Sequence, residues 1–556
     1  MRLAPPLASG FLLAAAALSP RAVRAQDGTW ALTNARIETV TRGTIEKGTI
    51  VIRDGLIEAV GANVTPPGDA RVVDLAGRTV YPGLIDLTSS MGLPAPSVGG
   101  GGFGGGGGGG GQGSAQGANR PRFVGLEPGR LIATEVNPPA GDLRAARDLG
   151  ITTALIAPTR GAFRGLSALV PMHEDSAAQK VVRSPVGLHM GFQGVGGRYP
   201  QTLLGVIAYE RQQFYDAQHH AAMLDRYRAG GRGVSRPSYD PDLDALVPVV
   251  RGQLPAFFAA NNENEIRRAL DLAKEFNLKL TVVGATEGFR AIDALKASGR
   301  PVVVSVEFPN ASNVTGWQYR GAQRREVNDS ATREAAVKRL LEGNAAVLHR
   351  AGVRFALASG SLRPNDFLAN VRKTIATGLP RQAALEALTI RAAEIAGAEN
   401  QLGSIETGKI ANLVVTQGDL LSDNPQIRMV FVDGVGHEVV PAAPGRGTRA
   451  GGGGPTAQVG GTWAMLVSSP QGEMPTTLTL TQSGDALDGS MTSQFGTASI
   501  SDGRVQGRTV TFSLSMTVGG QTMQMTVEGE VEGNRMTGRI RTGEMGTMNF
   551  TAERRP

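Results

Sequence analysis

Cysteine is absent from all 556 residues, so no disulfide, thiolate metal site or cysteine nucleophile belongs to this protein. Histidine is scarce: His173, His189, His219, His220, His349 and His437 are the whole complement. Aromatic residues make up 5 %, and no basic run is interleaved with them, which leaves nucleic-acid binding without support. The formal charge of +7 is modest for the length, and loss of Arg2, Arg21 and Arg24 with a leader would reduce it to +4. Long apolar runs are missing too. The run through "FLLAAAALS" is shorter than the ~20 residues that span a bilayer and stops at Pro20 and Arg21. With Arg2 before it and Val23-Arg24-Ala25 after it, residues 1–25 read as an export signal. The expectation is a periplasmic or extracellular protein with no transmembrane segment once the signal is removed.

What is present suits a soluble globular chain: 41 % hydrophobic and 19 % charged residues, over a length that calls for several domains. Short alternating stretches with a turn at Asp54-Gly55 fill residues 26–83, and strand character returns over 404–440; the two pieces predict one composite β-sandwich. Between them, residues 84–403 alternate strands ("GITTALIAP", "LKLTVVGA", "PVVVSVEF", "VRFALASGS") with helices ("ENEIRRALDLAKEF", "REAAVKRLLEGNAAVLHRAG", "RQAALEALTIRAAEIAG"). This α/β alternation predicts a (β/α)8 TIM-like barrel. In the first helix Ile266, Leu270 and Ala273 share a face. The glycine tract at 99–117 can supply no core and reads as an insertion; without a Lys-Ser/Thr ending it is no phosphate loop. Residues 441–461 read as a linker. Residues 462–556 alternate with period two, turn at Gly519-Gly520, and predict a separate antiparallel β domain of the small closed-barrel kind, with Val510, Phe512, Leu514, Met516 and Val518 on its core face.

The wording "VVDLAGRTVYPGLID", the α/β stretch, and "ALTIRAAEIAGAENQLGSIETGKIANLVV" together resemble the amidohydrolase superfamily, in particular its imidazolonepropionase-like branch, over roughly residues 30 to 435. The resemblance implies a barrel beside a composite β-sandwich. It also implies a divalent metal such as zinc, and hydrolysis of C–N bonds in cyclic amides, ureas or peptide-like compounds. In that pattern "PGLID" leads into H-x-H, whose imidazoles hold the metal; here Thr88 and Ser90 stand in those places. The second H-x-H maps to Ala259 and Asn261, a further ligand histidine to Gly284, and the aspartate that serves as ligand and base to Gly360. Neutral hydroxyls, one amide and three side chains without a donor cannot replace imidazoles and a carboxylate around a dication. No cofactor is therefore expected.

Other chemistry is thinly supplied. His349 lies in a helix and His437 beyond the second β piece, and the adjacent His219 and His220 diverge on a helix. His173, followed by Glu174 and Asp175, and His189 each lie near a strand. With Asp86, Glu287 and Glu307 they are the residual acid/base candidates; a Glu287/Glu307 pair would have to stand ~5–10 Å apart across a substrate. Ser359 and Ser361 lack a G-x-S-x-G elbow. Three readings stay open. One is a catalytically degenerate barrel that binds a small molecule, a peptide or a catalytically intact relative. Another is a hydrolase working through a displaced metal site or a metal-free pair. The third is an extracytoplasmic binding protein acting through its C-terminal β domain.

Overall fold

The computed structural model describes residues 28–93, 125–173, 181–194, 199–230, 232–308, 330–360, 362, 364–439, 457–469, 472–484, 486–493, 496–518, 521–542 and 546–555. The expected leader, the glycine tract, Glu174, Asp175, Ser361, the Gly519-Gly520 turn and most of the linker lie outside them. The chain divides into two compact units, residues 1–441 and 442–556.

The first unit opens with β1 (Trp30–Glu38), β2 (Thr44–Arg53), β3 (Leu56–Gly61), β4 (Arg71–Asp74) and β5 (Thr79–Pro82). These join β15 (Leu413–Gln417), β16 (Gln426–Val432) and β17 (Val435–Glu438) in one eight-stranded sheet, through antiparallel pairing of β5 with β15. Valines and isoleucines on alternate positions build its core, with Ile37, Ile50, Ile52, Val80, Leu413 and Phe431 buried together. His437 falls inside β17, opposite Val430, rather than past the last strand as expected.

Between the two β pieces come β6 (Leu84–Ser89), β7 (Ile151–Ile156), β8 (Phe163–Leu166), β9 (Ala168–Pro171), β10 (Leu188–Gly191), β11 (Ala256–Ala260), β12 (Leu280–Gly284), β13 (Val302–Ser305) and β14 (Phe355–Ala358). The strands β10 to β14 run parallel in sequence order, and β6 runs parallel to β7. β8 is antiparallel to β10 and β9 antiparallel to β7. The whole is a mixed α/β unit compatible with a TIM-like barrel. Near-continuous apolar runs such as "AFFAA" and "VVVS" suit strands covered on both faces.

Two helical runs are broken where one helix each was expected. Gly343 separates Ser330–Glu342 from Asn344–Arg350. Thr389 leaves helical dihedrals (φ −129°, ψ −95°), donates its hydroxyl to the Leu385 carbonyl, and splits Arg381–Leu388 from Ile390–Ala396. In helix Glu263–Glu275 the buried face is Ile266, Ala269, Leu272 and Ala273, and Leu270 is only half-buried.

The second unit is a closed antiparallel barrel of eight strands, from Gly461–Ser469 to Gly546–Arg554. Trp463, Leu478, Val510, Phe512, Leu514, Val527 and Phe550 fill its interior, so the inward face is a packed core.

Candidate functional site

Alternation along β6 decides what its end presents. Ile85 and Leu87 are buried with Leu155, Phe257, Val303, Ala356 and Ala358. Asp86 and Thr88 therefore take the opposite face. With Ser90, Met91, Asp142, Met172, Ser359 and Gly360 they line a pocket of about 270 Å³. Asp86 is 5 % exposed and stitches β6 to β14. Its Oδ1 accepts the Thr88 N–H (3.2 Å) and the Ser359 N–H (3.0 Å), and its Oδ2 accepts the Ser359 hydroxyl (2.6 Å). Burial pushes its pKa above the ordinary 3.8, and the hydrogen bonds from Ser359 and Thr88 oppose this. The Thr88 hydroxyl accepts the Gly360 N–H at 2.7 Å, so one of the two hydroxyls at the family's first histidine pair closes a strand junction. Ser90 is exposed, just past β6.

Gly360 has a left-handed φ of +71°. A Cβ on it would lie 2.4 Å from the Ser305 Oγ and 2.8 Å from the Glu307 Oε2. The place where the resemblance expects an aspartate thus has neither the backbone conformation nor the room for a side chain. Gly284 repeats this on β12: its φ is +96°, and a Cβ would meet the Asn261 Oδ1 at 2.1 Å. Asn261 itself belongs to helix entry. Asn262 and Glu265 form a capping box for Glu263–Glu275, and Glu265 also accepts the Asn261 N–H at 2.8 Å. The structure brings Thr88, Gly360, Ser305 and Glu307 together at the ends of β6, β13 and β14, and Asn261 and Gly284 together at the ends of β11 and β12. The two arrangements share one feature: a neighbour's side chain takes the space a ligand would need.

His173 is buried, with its ring 6.0 Å from that of His437 at 71°. His189 is buried and stacked flat on Phe257 (4.9 Å, 4°), and its Nε2 has no hydrogen-bond partner. Burial, then the Arg164 guanidinium beside it, lowers its pKa to about 3. It is held neutral at physiological pH and is no general acid there. His220 pairs with Asp244 at 2.9 Å between helices Leu203–Arg228 and Pro241–Val250. Glu287 is 3 % exposed and 3.8 Å from the Arg290 guanidinium.

Two residues near His189 escaped sequence reasoning. Arg164 on β8 is 9 % exposed and donates its Nε–H to the Gly161 carbonyl at 3.1 Å. Glu210, on Leu203–Arg228, is fully buried, and neither carboxyl oxygen has a hydrogen-bond partner. Each had a faint signal: a lone cation inside the apolar "AFRGLSALV", and a lone acid on the helical face of Val206, Phe214 and Ala217.

A divalent metal needs three or four strong donors held together. Thr88 is engaged, Ala259, Gly284 and Gly360 have no side-chain donor, and Asp86 is occupied by Ser359 and Thr88. Among the described residues no three His, Cys, Asp or Glu gather as a metal site. The described residues do not fit the metal. One measurement probes the carboxyl that remains. Because the folded Asp86 holds its proton to higher pH than the unfolded chain, its stabilising contribution is complete below ~3.8 and falls as pH rises. Asp86→Asn is accordingly expected to gain on the wild type as pH rises above about 4, read from urea midpoints; a constant difference would refute the assignment.

Comparison with known proteins agrees with this fold. The Amidohydrolase family model matches residues 255–436. An amidohydrolase from Thermotoga maritima is 23 % identical, with a TM-score of 0.58 over 73 % of this chain and 98 % of its own. A prolidase complexed with N-methylphosphonate-L-proline is 17 % identical (TM-score 0.42; 74 % of this chain, 99 % of that one). A molinate hydrolase is 16 % identical (TM-score 0.42; 74 % and 95 %). No curated protein matches. Residues 255–436 thus match the Amidohydrolase family model, and the likeness to the Thermotoga maritima amidohydrolase shows a shared fold over most of the first unit.

Proposed function

We propose that this is an exported amidohydrolase-fold protein that has lost metal-dependent hydrolysis and binds a small molecule or peptide-like ligand at the mouth of its α/β unit. The two α/β sheets are read as one barrel of eight places, seven parallel strands with the reversed β8–β9 segment in the third. Supporting that closure, Ser167 bonds Gly187 and receives Val186 (3.0 Å each), and Asp86 joins β6 to β14.

The observation that carries the loss of catalysis is at Gly360. The resemblance puts an aspartate there, and the left-handed backbone together with the Ser305 and Glu307 side chains disfavours one. A metal-free Glu287/Glu307 route has weaker support, since Glu287 faces Arg290 and Glu307 packs against Gly360. Assays with cyclic amides, ureas and dipeptides, with and without added zinc or manganese, are expected to give no turnover above buffer. Turnover abolished by Glu287→Gln or Glu307→Gln would replace this reading with the metal-free hydrolase.

A further inference from the structure

Among the described residues, Arg164 is a buried cation with no ion-pair partner. Its one hydrogen bond to protein is Nε–H to the Gly161 carbonyl, and it makes no ion pair among the described residues. Such a group is expensive to keep: a buried guanidinium is normally paired or absent. The packing has been arranged to hold it. Gly191 ends β10, and a Cβ there would lie 2.5 Å from the Arg164 Nη2 and 3.3 Å from the Ala259 Cβ. The guanidinium therefore lies across the end of β10 beside Ala259, one of the places where the family resemblance puts a metal-binding imidazole. The remaining neighbours do not neutralise it. His189 is uncharged, and Glu210 stands near enough for its charge to be felt but forms no bond. Burial drives the Glu210 pKa well above the carboxylate range, the protonated, neutral direction, with Arg164 opposing.

We infer that Arg164 is the anchor of a carboxylate-binding site at the ends of β10 and β11, its outer N–H groups forking onto the two oxygens of a small organic acid. The class indicated is a small organic acid whose carboxylate can take the outer N–H groups of Arg164, as in an N-acylated amino acid or an aromatic acid. The inference rests on the proposed binding role, with a fixed guanidinium standing where relatives keep a metal ion.

The test uses the full chain at neutral pH, with melting temperature and calorimetry as readouts. The probes are N-acetyl-L-alanine, N-acetyl-L-leucine, benzoate and the neutral N-acetyl-L-alaninamide. At least one carboxylate should raise the melting temperature at millimolar concentration, while the amide should bind about tenfold more weakly or not at all. Arg164→Met should abolish the ligand-induced shift, yet melt without ligand no lower than the wild type, because an unpaired buried charge is replaced by an apolar chain of similar length. Arg164→Lys should retain a reduced shift. The inference is overturned if no carboxylate shifts the wild type, if acid and amide bind alike, or if Arg164→Met melts clearly lower, which would make the arginine a structural post. Metal content and turnover play no part in these readouts, so a failure here is distinct from a failure of the proposed function.

Discussion

Gly360→Asp, the change that restores the family's acidic residue, is expected to lower the unfolding free energy of the first unit by roughly 4 kcal/mol and to add no metal binding. Two effects sum. A non-glycine residue held at φ +71° carries left-handed strain of about 1–2 kcal/mol. Its Cβ would also meet the Ser305 Oγ at 2.4 Å and the Glu307 Oε2 at 2.8 Å, and forcing atoms into a filled site adds about 1–3 kcal/mol. The new carboxylate would face Glu307, so like charges oppose each other as well. Gly360→Ala should show the steric part alone and Gly360→Asp more, both read from urea midpoints. A variant as stable as the wild type would mean that this strand end is not packed as described.

His189→Phe is expected to flatten the acid limb of the stability curve. In the folded chain the imidazole accepts a proton only near pH 3, because burial strips water from the cation and Arg164 repels it. In the unfolded chain it protonates near 6.5. The stability attached to the neutral ring is complete above about pH 6.5 and is lost as pH falls toward 3, at up to roughly 1.4 kcal/mol per pH unit. Across that window the loss amounts to about 4 kcal/mol. Phenylalanine keeps the flat stack on Phe257 and removes the proton site. Urea unfolding at several pH values should give a shallower slope for the variant below about pH 6. Parallel slopes would show that His189 titrates normally and is not sealed in.

Much of the fold was legible because it rests on local pattern. Strand runs such as "LKLTVVGA" and "VRFALASGS", and the period-two alternation around Phe512, are set by residues a few positions apart. The helix breaks at Gly343 and Thr389 carried weak signals, a Gly-Asn pair and a β-branched Thr-Ile pair, which helices tolerate often enough that each run read as continuous. The candidate site divides the same way. Substitutions at Thr88, Ala259, Gly284 and Gly360 could be read one position at a time. That Asn261 fills the space of Gly284, or that Thr88 caps the Gly360 N–H, depends on contacts between strands far apart in sequence. Arg164 and Glu210 left only a faint local trace, a charge set in an apolar pattern, and that trace does not tell whether a partner stands beside the charge. Their significance comes from the missing partner.

The account stands on the shortage of donors at the strand ends. Its most direct check is the metal content of full-length protein, purified without chelator, dialysed against zinc and manganese, and then freed of unbound metal. The expected result is far less than one ion per chain, unchanged in Thr88→Ala. A tightly held ion at one per chain that disappears in Thr88→Ala or Asp86→Ala would contradict it.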